Sequence, residues 1–402
     1  MDCSREELFA YKGRHINHLP TPSLIVSKPV IEKNCERLLK DVKEKGIGLR
    51  AHVKTLKCLQ VTRLMLGNGA HKKAVASTLR EIRGLLPLVE EGNLEEILYG
   101  IPVPPHALPQ LAKLSQQISP KAKILLMVDN PSQITALESF AKQQTETRPW
   151  SAFIKVDMGS HRAGLEPGSP ALKELIQQVE KSDVVEIYGF YCHAGHSYGS
   201  RSVEAAAEFL HQEVSAAVEA AELLLQLRGN EKKTDIVLSA GATPTAHVVR
   251  KLQKTLPPGC RMELHGGNYP ANDLQQLGTT SVNESDQAVR VLAEVCGVYS
   301  ARNEAMLNAG VIALSREPGP LEGFARLKDV SGWNVGRLSQ EHGIVVRDKD
   351  VSEGNVEDVL KIGDKVQLWV QHACITSSAY GWYFVVDEAD NVIDVWYPWR
   401  GW

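Results

Sequence analysis

Between about residues 48 and 268 the chain alternates short apolar runs with longer helical stretches, and this alternation limits the fold more than any other feature. The runs are "LRAHV" (49–53), "AVAS" (74–77), "EILYG" (96–100), "KILLMV" (123–128), "AFIKV" (152–156), "EIYGFY" (186–191), "DIVLS" (235–239) and "MELHG" (262–266). Eight strands, each followed by a helix or turn, predict a closed parallel (β/α)8 barrel of the TIM type. The intervening periodic stretches include "NLEEI" and an Ala- and Leu-rich segment, 203–229, that reads as a packing helix ending at Gly229.

Past about residue 275 the pattern becomes β-rich, in "QAVRVLAEVCGVYS", "VQLWVQHACITSS" and "WYFVVDEADNVIDVWYPW". This predicts a second, mostly antiparallel β domain over 276–402, holding Trp333, Trp369, Trp382, Trp396, Trp399 and Trp402. The early run "PTPSLIVS" (20–27) reads as a strand that joins this β domain. The expected division is therefore a segment 1–27 packed with the β domain, a barrel over 28–275, and the β domain itself.

Charge and cysteine usage remove several classes. A net charge of −3 gives no electrostatic case for nucleic acid or an anionic membrane. No apolar run approaches membrane-spanning length, and the N-terminal residues lack the apolar core of a signal peptide. The seven cysteines, Cys3, Cys35, Cys58, Cys192, Cys260, Cys296 and Cys374, are scattered and odd in number. That usage fits a reducing compartment, so a cytoplasmic protein is expected.

Active sites of such barrels form at the C-terminal ends of the strands. The first strand delivers Lys54 there. The fifth is followed by "DMGSHRAG" with Asp157 and Arg162, and the sixth by "YCHAGHSYG" with Tyr191, His193, His196 and Tyr198. The seventh offers "SAGATPT" with Ser239, Gly241, Thr243 and Thr245. The eighth offers "HGGNY" with His265, Gly266, Gly267, Asn268 and Tyr269. Small residues and hydroxyls let backbone N–H groups approach an anion, and barrels often bind phosphate with these last two loops. Glycine and threonine also make ordinary tight turns, but both loops share this chemistry. A lysine is usually a solvated surface residue; Lys54 is set apart by following a buried strand. A lysine across the mouth from a phosphate site points to pyridoxal phosphate, whose aldehyde the amine captures.

The stretches "LPTPSLIVS", "RAHVKTLKC", "VDMGSHRAG", "YGFYCHAGHSYG", "SAGATPT", "ELHGGNY" and "VQHACITSS" resemble, in order, the alanine-racemase-like class of pyridoxal-phosphate enzymes. Within that class the chain is similar to the D-serine dehydratases and their relatives, the D-threonine aldolases. The resemblance implies that Lys54 carries the cofactor and that Thr243, Gly267 and Asn268 hold its phosphate or rim. It also implies that Tyr191 and Tyr198 lie in the pocket and that Arg162 faces the pyridine ring. By the same resemblance the protein is a homodimer.

Pyridoxal phosphate accounts for loss of an α-proton but not for loss of a β-hydroxyl, a poor leaving group that needs a Lewis acid. In "HAC", read as part of a strand, His372 and Cys374 share one face and carry good zinc-ligating groups. Two ligands fall short of the usual three or four, and such a pair is often mere filling. The resemblance implies that D-serine dehydratases carry Zn2+ on this pair, whereas D-threonine aldolases have aspartate in place of the cysteine.

The expected reaction is elimination of water from D-serine to give pyruvate and ammonia, with D-threonine as a possible second substrate. The alternatives are aldol cleavage to glycine and an aldehyde, a non-catalytic pyridoxal-phosphate carrier, and a racemase. His193 and His196 are expected to line the pocket or bond backbone, and His15, His18, His71 and His342 to lie at the surface.

Overall fold

A computed structural model of the 402-residue chain describes residues 4–144, 148–229, 235–253 and 255–402. Cys3 lies outside the described residues. The chain forms two units, one of residues 1–35 with 268–400 and one built on residues 36–267.

The chain's first strand, β1 (Ser23–Ser27), belongs to the first unit. The second unit is a closed barrel of eight parallel strands, β2 (Gly48–His52), β3 (Lys73–Ala76), β4 (Glu96–Pro102), β5 (Lys123–Val128), β6 (Trp150–Val156), β7 (Val185–Cys192), β8 (Ile236–Ala240) and β9 (Cys260–Gly266). The ring closes where β9 pairs with β2, Gly48 opposite Glu263 and Ala51 opposite Gly266. Every run read from the sequence is a strand, and β5 matches its run to the residue. "NLEEI" is not helical: its first three residues lead into β4 and its last two, Glu96 and Ile97, begin it, and the helix of that repeat is Leu79–Glu90.

The barrel interior is layered. Val75, Leu98, Leu125, Met127, Phe153, Tyr188, Tyr191 and Val237 pack an apolar and aromatic middle. Toward the N-terminal strand ends the filling is ionic. Arg50, fully buried, bonds Glu263 at 2.5 Å and Glu96 at 2.7 Å, and Lys73 reaches Glu263 at 3.2 Å. Burial pushes the Glu96 carboxyl upward, but Arg50 and Lys73 outweigh it and hold Glu96 at about 2. These charges are tolerable inside the barrel because each has an opposite partner; removing one side of such a pair costs about 3–5 kcal/mol.

The long helix is Val203–Arg228, capped by Ser202 at its start and by Gly229, at φ +64°, at its end. The helix does more than pack, because its Glu213 is fully buried and accepts the backbone N–H of Ala194 in the loop after β7.

The first unit holds β1, β10 (Val289–Tyr299), β11 (Glu304–Leu307), β12 (Ala325–Leu327), β13 (Trp333–Leu338), β14 (Gly343–Arg347), β15 (Lys365–Val370), β16 (Tyr383–Val386) and β17 (Val392–Trp396). Their order in the sheet is β11-β14-β13-β12-β15-β10-β1-β16-β17, and β10 also pairs with β11, which closes six of them into a ring. Pairing is antiparallel except between β1 and β16. β1 thus lies between β10 and β16, so the N-terminal strand completes the β unit. Among the described residues no helix is long and apolar enough to cross a membrane.

Candidate functional site

Arg50 and His52 share a face of β2, and Lys54 follows two residues on, just past the strand end. The Lys54 backbone N–H meets His52 Nδ1 at 3.4 Å, and His52 Nε2 lies 3.4 Å from Ser77 Oγ after β3. Burial, then the charges of Lys54, His193 and Arg162, push His52 well below the usual imidazole range. Burial, then Arg162 and Lys54, do the same to His193. Lys54 and Arg162 therefore act on the same two imidazoles, although they come from β2 and from the loop after β6. Arg162 itself is exposed and Lys54 half-buried.

A third buried imidazole, His265 on β9, is also pushed well below its usual range, by burial and then by His193 and His52. Its Nδ1 pairs with Ser239 Oγ at 3.0 Å, and the ring of Tyr191 stacks on it. Tyr191 is only 5% exposed and also meets Phe153 edge-on, so it roofs the barrel's packed interior. Its hydroxyl is held well above the usual phenol range by burial.

The loops after β7, β8 and β9 are drawn together by specific contacts. His193 Nδ1 lies 2.7 Å from the Gly241 carbonyl. Thr243, 3% exposed, opens the short helix Thr243–His247. Gly241 has φ +151°, and a Cβ there would sit 2.0 Å from the His265 carbonyl oxygen. At Gly267 a Cβ would come within 3.1 Å of the His52 carbonyl oxygen. Tyr198 is half-buried in the single turn Gly195–Gly199. As the sequence implies, His193 bonds backbone; His196 is exposed, with its ring against Phe209. His18 and His342 are exposed, whereas His15 and His71 are half-buried.

In the β unit, "HAC" is not on a strand. β15 ends at Val370, His372 is the N-cap of the helix Ala373–Ser378, and Cys374 lies in its first turn. The apolar run "VQLWV" feeds into a polar turn that stops strand pairing. The expected shared face of a strand is absent, yet the two side chains meet: the His372 ring and the Cys374 side chain are hydrogen-bonded. Burial works against a charged His372, but Cys374, Asp273 and Glu317 outweigh it and raise the imidazole to about 9. Asn268, 2% exposed, donates its Nδ2 to Asp273 Oδ2 at 2.6 Å, and the same oxygen accepts the Ala373 N–H at 2.9 Å. Asp273 Oδ1 accepts the Gln276 N–H at 3.0 Å. Among the described residues no three His, Cys, Asp or Glu side chains are grouped to hold a metal.

Sequence reasoning missed His52, Ser77, Glu213, Asp273 and Glu317. His52 stood in the quoted "RAHVKTLKC", two residues before Lys54, and the same-face rule applied to Arg50 could have flagged it. Asp273 carries the local signal of an N-cap, since it accepts the Gln276 N–H; Ser77, Glu213 and Glu317 carry none, because their partners are distant in sequence.

Two family descriptions match the chain: "Alanine racemase, N-terminal domain" over residues 26–255 and "Putative serine dehydratase domain" over 288–386. The chain is 42% identical to D-serine dehydratase of Schizosaccharomyces pombe, over 100% of this chain and 97% of that protein. It is 34% identical to the Saccharomyces cerevisiae D-serine dehydratase, over 98% and 99%. Among solved structures, D-threo-3-hydroxyaspartate dehydratase from Delftia sp. HT23 superposes with a TM-score of 0.84 at 26% identity, over 96% of this chain and 100% of that one. A cysteine-to-alanine variant of that enzyme is described in a metal-free form and superposes equally well. With full-length identity of this order and the barrel and β unit both matched, the chain belongs to the D-serine dehydratase family, whose barrel is that of the alanine racemases.

Proposed function

We propose that this protein is a D-serine dehydratase, a lyase that removes water from D-serine and yields pyruvate and ammonia, using pyridoxal phosphate on the barrel and Zn2+ on the β unit. The observation that carries the reading is the contact between His372 and Cys374. A carbonyl cofactor activates the α-proton but does nothing for a β-hydroxyl, a poor leaving group, and an imidazole beside a thiol is a donor set suited to zinc.

The barrel residues fit pyridoxal phosphate on structural grounds. Lys54 stands at a strand end among neutral imidazoles, and Gly241 and Gly267 let the loops after β8 and β9 pack closely on the backbone of His265 and His52, which leaves their N–H groups unshielded by a side chain of their own. When bound, the cofactor supplies an electron sink for the carbanion at the substrate's Cα. Lys54 would be its tether, and the Lys54 amine would be the group that takes the α-proton. The Thr243 hydroxyl and the backbone beside Gly267 would hold the phosphate, with Asn268 and Tyr198 at the rim. Arg162 would face the ring nitrogen and would keep it unprotonated. Tyr191 and His265 close the floor with a stacked pair that excludes water from below. Burial holds His52, His193 and His265 as neutral imidazoles there.

The pair fits an open zinc site, in which substrate and water would complete the coordination. When bound, the ion supplies a Lewis acid for the departing hydroxyl. The chain's part is to hold His372 and Cys374 together at the helix start, with Asp273 gripping the Ala373 N–H between them. We extend the reading to slower turnover of D-threonine, a homodimeric assembly and a cytoplasmic location.

The test is pyruvate release from D-serine by the purified protein, with and without a chelator. Chelator-sensitive pyruvate is expected. Glycine from D-threonine without pyruvate from D-serine would instead make it an aldolase; no turnover of any D-amino acid would make it a carrier.

A further inference from the structure

Glu317 follows the short helix Val311–Leu314, and its Oε2 lies 3.2 Å from Nδ1 of His372. Asp273 is the other carboxylate that acts on this ring, but its hydrogen bonds go elsewhere, to Asn268, Gln276 and Ala373. Glu317 is thus the carboxylate bonded to the imidazole. A ring that donates from Nδ1 keeps its lone pair on Nε2. The side chain of Cys374 contacts the same ring.

We propose that Glu317 is a positioning residue for the metal pair, holding His372 in the tautomer and orientation that present Nε2 to the ion. The proposal rests on His372 and Cys374 being the ligands. Outer carboxylates of this kind fix a ligating ring and raise its basicity, and their loss costs roughly 10–100-fold in metal affinity. The effect weighs more here than in a four-ligand site, because only two protein side chains grip the ion. Glu317 differs from a ligand in that its hydrogen bond is spent on the ring. Its side chain is 41% exposed, so replacing it removes no part of the core.

The test is Zn2+ affinity of metal-stripped protein, measured against a chromophoric chelator, for wild type, Glu317→Ala, Glu317→Gln and His372→Ala. Glu317→Ala is expected to bind Zn2+ roughly 10–100-fold more weakly than wild type. Glu317→Gln should lose distinctly less, since its amide oxygen still accepts the Nδ1–H. Cobalt substituted for zinc should show a shifted visible spectrum in Glu317→Ala and a near-normal one in Glu317→Gln. Wild-type affinity in Glu317→Ala overturns the proposal, and so do equal losses in the two Glu317 variants. A wild type that binds Zn2+ no better than His372→Ala sinks the ligand assignment beneath it, a result distinct from either.

Discussion

The ring of Tyr191 lies flat on that of His265, with centroids 3.9 Å apart and planes 12° from parallel. Both residues project into the barrel from strand ends, and both are buried. The pair joins the packed interior to the layer that carries Ser239 and His193. Tyr191→Ala should therefore cost stability as a cavity-forming change, about 3–5 kcal/mol, read from the urea midpoint. Tyr191→Phe keeps the stack and should cost far less. Equal losses in the two variants would show that the hydroxyl, not the ring, matters.

Lys54 is expected to be the tether. Purified protein should be yellow, with a visible band that borohydride bleaches, and Lys54→Ala should lose both the band and nearly all turnover. Peptide mapping after borohydride should find the label on Lys54; finding it on another lysine ends the assignment.

Glu213 gives a pH signature. Burial pushes its carboxyl up to about 7 from 4.5, against the pull of the Ala194 N–H, the Thr245 side chain and Lys155. A raised carboxyl binds its proton more tightly in the folded state than in the unfolded one. Its contribution to stability is complete below pH 4.5 and is lost as pH rises through about 7. Relative to Glu213→Gln, wild type should lose stability between pH 5 and pH 8, by at most about 3 kcal/mol. Urea unfolding of both proteins at the two pH values checks this; a constant difference would show that Glu213 does not titrate in that window.

His372→Ala and Cys374→Ala should strip the metal and leave the protein yellow. Both should stop dehydrating D-serine but still release pyruvate from β-chloro-D-alanine, whose chloride departs without a Lewis acid. A folded, yellow His372→Ala that fails equally on both substrates would remove leaving-group activation as the metal's role.

Assembly is checked by light scattering. Two chains of 44.3 kDa are expected in the active species; a fully active particle of one chain's mass contradicts the homodimer.

The barrel was legible because its strands are buried on both faces and so read as unbroken apolar runs. "KILLMV" is the clearest case, bounded by polar residues on each side and recovered without error. The ionic layer was not legible: Arg50 meets Glu263 across 213 residues, a distance over which periodicity carries no information. "HAC" was misplaced for a different reason. A six-residue helix spans too few turns to show a 3.6-residue period, so the preceding strand's pattern ran on into it. His372 and Cys374 meet all the same, because residues at an N-cap and in the first turn beyond can face each other. Glu317 stayed hidden, 55 residues away from the ring it bonds.

The position of β1 between β10 and β16 has a consequence for biosynthesis. Its hydrogen-bonding partners begin at Ala288, so after Ser27 is made about 260 residues must follow before the first of them exists. At usual translation speeds that interval is roughly 13–50 s. The intervening residues include the whole of the barrel, which can close as soon as Gly266 appears. Until then an apolar strand, "SLIVS", has neither neighbour to pair with. That nascent interval is when the chain is most open to capture by chaperones or to pairing with the wrong edge.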